Sequence, residues 1–151
     1  METREEKYMH FALKEAQKAA KIDEVPVGCV IVLNDKIIAK AHNKKEINND
    51  PCGHAEILAI KKASKKLNNW RLENCEMYVT IEPCIMCSGA IIQSRIKKVF
   101  YGAKDIKGGG LGSSINVLNA KNINHIPEIY EGLLKEECSK IISDYFKSKR
   151  I

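Results

Sequence analysis

With 151 residues, 44% of them hydrophobic and 29% charged, the chain has the composition of one soluble globular domain, long enough to bury a core without disulfide staples. Lys and Arg number 25 against 19 Asp and Glu, a formal net charge of +6 that suits a polyanionic partner without requiring one. No stretch approaches the roughly eighteen continuous apolar residues of a membrane span, and the charged opening (Glu2, Arg4, Glu5, Glu6, Lys7) holds no apolar signal core, so no membrane association and a cytoplasmic location are expected.

In chain order, residues 3–21 place Tyr8, Phe11, Leu13, Ala16, Ala19 and Ala20 among charges, which predicts an amphipathic helix. The run from Val25 to Leu33 is too uniformly apolar for a half-exposed strand and predicts one buried on both faces. Asn34-Asp35 turns the chain into a hairpin partner over 36–41, and the polar stretch 43–53 ends in a loop, Asp50-Pro51-Cys52-Gly53. A second helix is predicted from His54 to Leu67, with Ile57, Leu58, Ile60 and Ala63 on its apolar face, and a third strand over 76–81. Pro83, favoured at a first helical position, opens a third helix ending near Ser94; a fourth strand covers 98–101. Residues 103–124 form a long segment containing Gly108-Gly109-Gly110, of a length that in a compact domain is often functional. A short strand at 128–130 and a closing helix over 132–149 follow. Strands alternating with helices predict one layered α/β domain over residues 1–151, with part of its sheet parallel.

His54-Ala55-Glu56 and, about thirty residues on, Pro83-Cys84-Ile85-Met86-Cys87 carry the chemistry. One imidazole and two thiols make three metal ligands, the number catalytic zinc takes while keeping its fourth position for water. Cys84 and Cys87 lie three apart on the first turn of a helix, so their sulfurs share a face. His54 and Glu56 open another helix, and two helix N-termini converging on one point favour thiolates there. Glu56, two residues from His54, points elsewhere and is free to move the water's proton, a role worth about 10²–10⁴ in rate. Hydrolysis at an amidine carbon fits such a centre, with Zn²⁺ as its cofactor.

Other readings of the same residues stand beside this one. Cys52 could complete a structural zinc knot, or Cys84 and Cys87 could be a redox dithiol, although His-x-Glu is then unexplained. Cys29, Cys75 and Cys138 read as small core residues, and His10, His42 and His125 as packing or surface residues. Gly108 to Gly110 read as loop flexibility. Lys61, Lys62, Lys65 and Lys66 read as a solvated helix face, with RNA contact as the minor alternative.

Taken together the segments resemble the bacterial tRNA-specific adenosine deaminase family, within the cytidine deaminase-like superfamily, over nearly the whole chain. The resemblance is carried by Val25-Pro26-Val27-Gly28, Asn43, His54 to Ile57, Trp70-Arg71-Leu72, Tyr78 to Cys87, Ser94-Arg95-Ile96, Tyr101 to Asp105, Asn124-His125, Gly132-Leu133-Leu134 and Tyr145-Phe146-Lys147. It implies a three-layer α/β/α sandwich with a five-stranded mixed sheet and a homodimer. The activity it implies is zinc-dependent conversion of adenosine to inosine at the wobble position of a tRNA anticodon, typically the arginine tRNA. A zinc-activated water would attack C6, Glu56 would shuttle protons and ammonia would leave. By the same resemblance, His54, Cys84 and Cys87 hold the metal, Asn43 hydrogen-bonds the purine, Val27 packs on it and Asn124 meets the ribose side. Asp105 and Lys107 match the loop that meets flanking anticodon nucleotides. Tyr145, Phe146 and Arg150 match aromatic and basic contacts of the last helix. Two departures stand out: Tyr145 where many relatives have phenylalanine, adding a hydroxyl, and Gly53 where alanine is frequent, which predicts a looser pocket mouth.

The alternatives from other classes are a deaminase of free bases or nucleosides, a riboflavin-pathway deaminase, and a non-catalytic zinc module that binds nucleic acid through charge. An aromatic and basic helix end favours a single-stranded RNA loop, whose unstacked bases can be read by stacking and edge hydrogen bonds.

Overall fold

Alternation along the strands dictates the architecture. The computed structural model describes residues 1–149, in the order α1 (Arg4–Lys21), β1 (Gly28–Leu33), β2 (Lys36–His42), α2 (Ala55–Leu67), β3 (Glu76–Ile81), α3 (Ile85–Gln93), β4 (Lys98–Ala103), a 3-10 turn (Val117–Asn119), β5 (Glu128–Glu131) and α4 (Lys135–Lys149). The five strands form one sheet in the order β2-β1-β3-β4-β5. β1 runs antiparallel to both β2 and β3, while β3, β4 and β5 are parallel, so the sheet is mixed.

Successive residues of a strand face opposite sides, and the two sides build two cores. Cys29, Ile31, Met77 and Val79 pack with Ala55, Ala59 and Ala63 of α2 and Ile91 of α3. Val30, Val32, Tyr78 and Phe100 pack with Tyr8, Met9, Ala12 and Leu13 of α1 and Cys138 of α4. The sandwich therefore has three layers, and the buried central strand expected from the apolar run is β1. Each large apolar side chain so enclosed stabilises the fold by roughly 1.5–3 kcal/mol. Cys29, Cys75 and Cys138 are all buried, as their reading as core residues requires.

Local chemistry sets the junctions. Asn34 and Asp35 both adopt positive φ (51° and 61°), the pairing a two-residue hairpin turn demands and that these residue types tolerate. Thr3 and Glu6 close a capping box at the start of α1. Gly28 allows α1 to lie against the start of β1, because a Cβ there would fall 1.9 Å from the Ala12 carbonyl oxygen.

Three boundaries differ from expectation. β1 begins at Gly28 rather than Val25, since Pro26 offers no N–H and the Val27 N–H closes a tight turn onto the Val25 carbonyl at 2.8 Å. α3 begins at Ile85, not Pro83, because Cys84 is still extended and serves as the N-cap. α4 begins at Lys135, after the left-handed Gly132 and Leu134. The other histidines are engaged as ordinary contacts: His42 Nδ1 lies 2.9 Å from Glu15, His10 meets Glu2 and Glu137, and His125 donates to the Ile96 carbonyl at 2.7 Å. Among the described residues no helix is long and apolar enough to cross a membrane.

Candidate metal and catalytic site

α2 and α3 lie side by side on one face of the sheet with their N-termini converging. The N-cap of α2 is His54 and that of α3 is Cys84, and neither side chain caps its own helix. They turn towards each other instead, joined by Cys87 from the first turn of α3. His54 Nδ1 lies 3.6 Å from Cys84 Sγ and 3.5 Å from Cys87 Sγ. Zinc with sulfur at roughly 2.3 Å and nitrogen at roughly 2.0–2.1 Å would set neighbouring tetrahedral donors roughly 3.5–3.6 Å apart. The spacing is that of tetrahedron edges, and the soft, anionic donor set suits zinc. The residues fit the ion.

The three donor atoms lie within 4.8 Å of one another and form the one such cluster among the described residues. Cys52 is not part of it; its thiol is exposed on the turn before His54. Cys52→Ala is therefore expected to leave the metal content at one ion per chain, and depletion of the ion in that variant would make the centre a four-ligand knot. The turn itself is pinned by bonds from the Lys44 N–H to the Gly53 carbonyl, the Gly53 N–H to the Asp50 carbonyl and the Cys52 N–H to Asp50 Oδ1, each 2.9 Å.

Electrostatics prepare the sulfurs. The hydrogen bond from Cys87, and after it His54, hold the Cys84 thiol down at about 4 against the opposing effect of burial. Cys87 is pushed far up, first by its bond to the Cys84 sulfur and then by burial. Thiolates are the metal-binding form, so a dication that binds here displaces any proton left on the sulfurs.

Glu56, only 3% exposed, stands on the first turn of α2 beside this cluster but outside it. Burial, reinforced by the Cys84 charge and opposed by its own backbone N–H and His54, raises its carboxyl to about 7. A group with that proton affinity can take and return a proton near neutrality.

A cavity of about 210 Å³ opens onto these groups. It is lined by Val27, Asn43, His54, Glu56, Cys84 and Asp105 among others, so six of the residues singled out in the sequence share one wall. Asn43 is held by a bond from its amide to the Val25 carbonyl (3.3 Å) and by the Lys45 N–H on its Oδ1 (3.2 Å), which fixes the orientation of the amide. Lys107, Asn124 and Phe146 are exposed and do not line the cavity. Tyr145 and Phe146 meet edge-on near the end of α4, with ring centroids 5.4 Å apart. The Tyr145 hydroxyl donates to Asp23 Oδ1 at 3.2 Å, and Lys149 pairs with the same carboxylate. Arg150 lies outside the described residues. The Lys61, Lys62, Lys65 and Lys66 side of α2 is exposed, as a solvated face would be.

Sequence reasoning missed Lys45 and Glu82 on the cavity wall. For Glu82 a signal existed: a lone carboxylate between a buried strand and Pro83 needs buried partners. The reading of Gly109 and Gly110 as flexibility is corrected. A Cβ on Gly109 would fall 2.4 Å from the Glu82 carboxylate, and one on Gly110 would fall 2.8 Å from the Ser88 hydroxyl and 2.9 Å from the Cys84 carbonyl. These glycines permit close approach to the metal loop.

The fold and the site together define a hydrolytic deaminase: the MafB19-like deaminase family matches over residues 3–150, and the chain belongs to it. The tRNA-specific adenosine deaminase of Bacillus subtilis (strain 168) is 47% identical over 148 residues, 98% of this chain and 92% of that one. That of Aquifex aeolicus (strain VF5) is 48% identical over 145 residues, 96% and 95% of the two chains. A structure solved in work on A-to-I editing by tRNA:A34 deaminases at the wobble position superposes with a TM-score of 0.87 at 41% identity, covering 89% of this chain and 98% of the other. Within the deaminases, the chain is therefore a member of the tRNA-specific adenosine deaminase family. The guanine deaminase of Nitrosomonas europaea, at 22% identity and a TM-score of 0.76, shares the fold.

Proposed function

We propose that the chain hydrolyses the exocyclic amine of adenosine at the wobble position of a tRNA anticodon, the arginine tRNA being the expected substrate, with one Zn²⁺ per chain as cofactor. The observation that carries the reaction is the buried Glu56 beside a three-donor cradle spaced for zinc. The substrate rests on the relatives at 47% and 48% identity, whose shared activity is tRNA adenosine deamination.

Bound in the cradle, zinc would supply a water with its pKa brought from 15.7 to about 7. The chain's own residues then do the rest. His54, Cys84 and Cys87 would hold the ion. Val27 and Asn43 hold the base, Val27 against its face and Asn43 at its polar edge. Glu56 would take protons from a water whose oxygen adds to C6 and deliver one to N1 and one to the amino nitrogen, so that adenosine and water become inosine and ammonia. A cavity of about 210 Å³ has room for one base; Asp105 and Lys107 would meet flanking nucleotides, Asn124 the ribose, Tyr145 and Phe146 would stack on bases of the loop and Arg150 would meet the backbone. The enzyme works as a homodimer in the cytoplasm.

The deciding experiment incubates the zinc-loaded protein with an anticodon stem-loop, total tRNA and free adenosine, and measures inosine. Formation at one tRNA position with negligible turnover of free adenosine is expected; equal turnover of both would sink the tRNA assignment. Deleting residues 145–151 removes two aromatic rings, each worth about 1–3 kcal/mol when stacked on a base. Affinity for the stem-loop is expected to fall about tenfold or more, with the unfolding midpoint changed little, and an unaltered dissociation constant would remove the last turn from the RNA surface.

A further inference from the structure

Glu82 is a carboxylate sealed in the interior, 1% exposed, at the point where β3 gives way to the metal loop. Burying a charge is costly unless hydrogen bonds replace its hydration. All the replacements given to Glu82 come from one segment. The Asp105 N–H donates to Oε1 at 3.2 Å, the Leu111 and Ser113 N–H groups donate to Oε2 at 3.0 and 3.2 Å, and the Ser113 hydroxyl donates to Oε1. A carboxylate has about four acceptor positions, so the segment saturates it. Gly109 is moulded round the same group, having no room for a Cβ.

The neighbours of Glu82 belong to the site. Glu82 and Asp105 are both among the residues that line the cavity, Pro83 and Cys84 follow Glu82 in sequence, and the Pro83 carbonyl accepts from the Gly110 N–H at 2.8 Å. The Glu82 side chain thus fastens the rim of the pocket to the backbone that presents a metal ligand, beside the short backbone bridge between Gly109 and Cys84. Residues 104–116 contain neither helix nor strand, and their backbone pairing is limited to two isolated bridges, Cys84 with Gly109 and Leu111 with Asn116. Glutamine could not substitute: whichever way its amide turned, an NH₂ would face N–H groups.

We infer that Glu82 is the positioning residue that fixes the Asp105–Ser113 rim against the metal loop, and so sets how tightly the polynucleotide is held over Glu56. The substrate side of this inference rests on the tRNA reading above. Glu82 itself moves no proton; its effect passes through the rim.

The test compares Glu82→Gln and Ser113→Ala with the wild-type chain, all zinc-loaded, by zinc content, by kcat and KM for inosine formation in an anticodon stem-loop, and by amide hydrogen exchange. Loss of an acceptor oxygen should raise KM about tenfold in Glu82→Gln, and loss of one hydroxyl donor about threefold in Ser113→Ala, with kcat within about threefold of wild type. Zinc should stay at one per chain. Amides of Asp105, Leu111 and Ser113 should exchange faster while those of Val30 and Tyr78 stay protected. An unchanged KM, a loss confined to kcat, or departure of zinc in Glu82→Gln would each overturn the inference. Should Glu82→Gln fail to fold, Ser113→Ala decides alone, a raised KM supporting the role and an unchanged one refuting it. If the wild-type chain makes no inosine, the tRNA reading fails, and the exchange data still decide whether Glu82 holds the rim.

Discussion

Glu56→Ala is expected to abolish inosine formation, lowering kcat by at least about 10²–10⁴-fold, the contribution of a positioned acid/base, while zinc stays bound at one per chain. The two halves of this expectation have separate structural causes. Glu56 is outside the donor cluster, so its loss removes no ligand. It is also buried against that cluster, with its carboxyl raised to about 7 by burial, and a dication in the cradle would draw it part of the way back down. Metal analysis beside a single-turnover inosine assay checks both halves. Activity within tenfold of wild type would mean that another group handles the proton, and loss of zinc would make Glu56 a ligand.

Cys84→Ala is expected to lose both metal and activity, and the effect on folding should be readable separately. Anything that binds the folded chain alone stabilises it by RT ln(1 + [L]/Kd), about 4.1 kcal/mol at a thousandfold excess over Kd. A strong chelator should therefore lower the unfolding midpoint of the wild-type chain and leave that of Cys84→Ala where it is. The apolar cores on the two faces of the sheet do not involve the Cys84 side chain, so the variant should still fold. A variant that still carries one tightly held ion would show that a different donor set binds it.

Much of the fold was legible because it rests on short-range pattern. The uninterrupted apolar run through Cys29 to Val32 announced a strand covered on both faces, and both faces are covered. Asn34-Asp35 announced a hairpin because left-handed backbone is cheap for these residues, and both adopt it. The convergence of His54, Cys84 and Cys87 was legible for a chemical reason, since thiols and imidazole at that spacing rarely coincide without a metal to hold. What escaped was long-range. Nothing near Glu82 in sequence discloses that Asp105, Leu111 and Ser113 will satisfy it, some 23 to 31 residues later. Gly109 and Gly110 resembled slack for the same reason: their constraint comes from side chains and backbone brought alongside by the fold. Element starts at Gly28, Ile85 and Lys135 shifted because a missing N–H, an extended N-cap and left-handed residues decide them, and an apolar pattern is blind to each.

His54 and Cys84 occupy the places where a helix ordinarily stitches its first turn to a side-chain oxygen, and both are turned away to a common guest. Occupancy and local order are thereby wired together. A stripped chain should keep its sheet but fray at two adjacent helix beginnings, and refilling should anneal both at once. Starving such a protein of its ion would blur its catalytic face long before it threatened the body of the molecule.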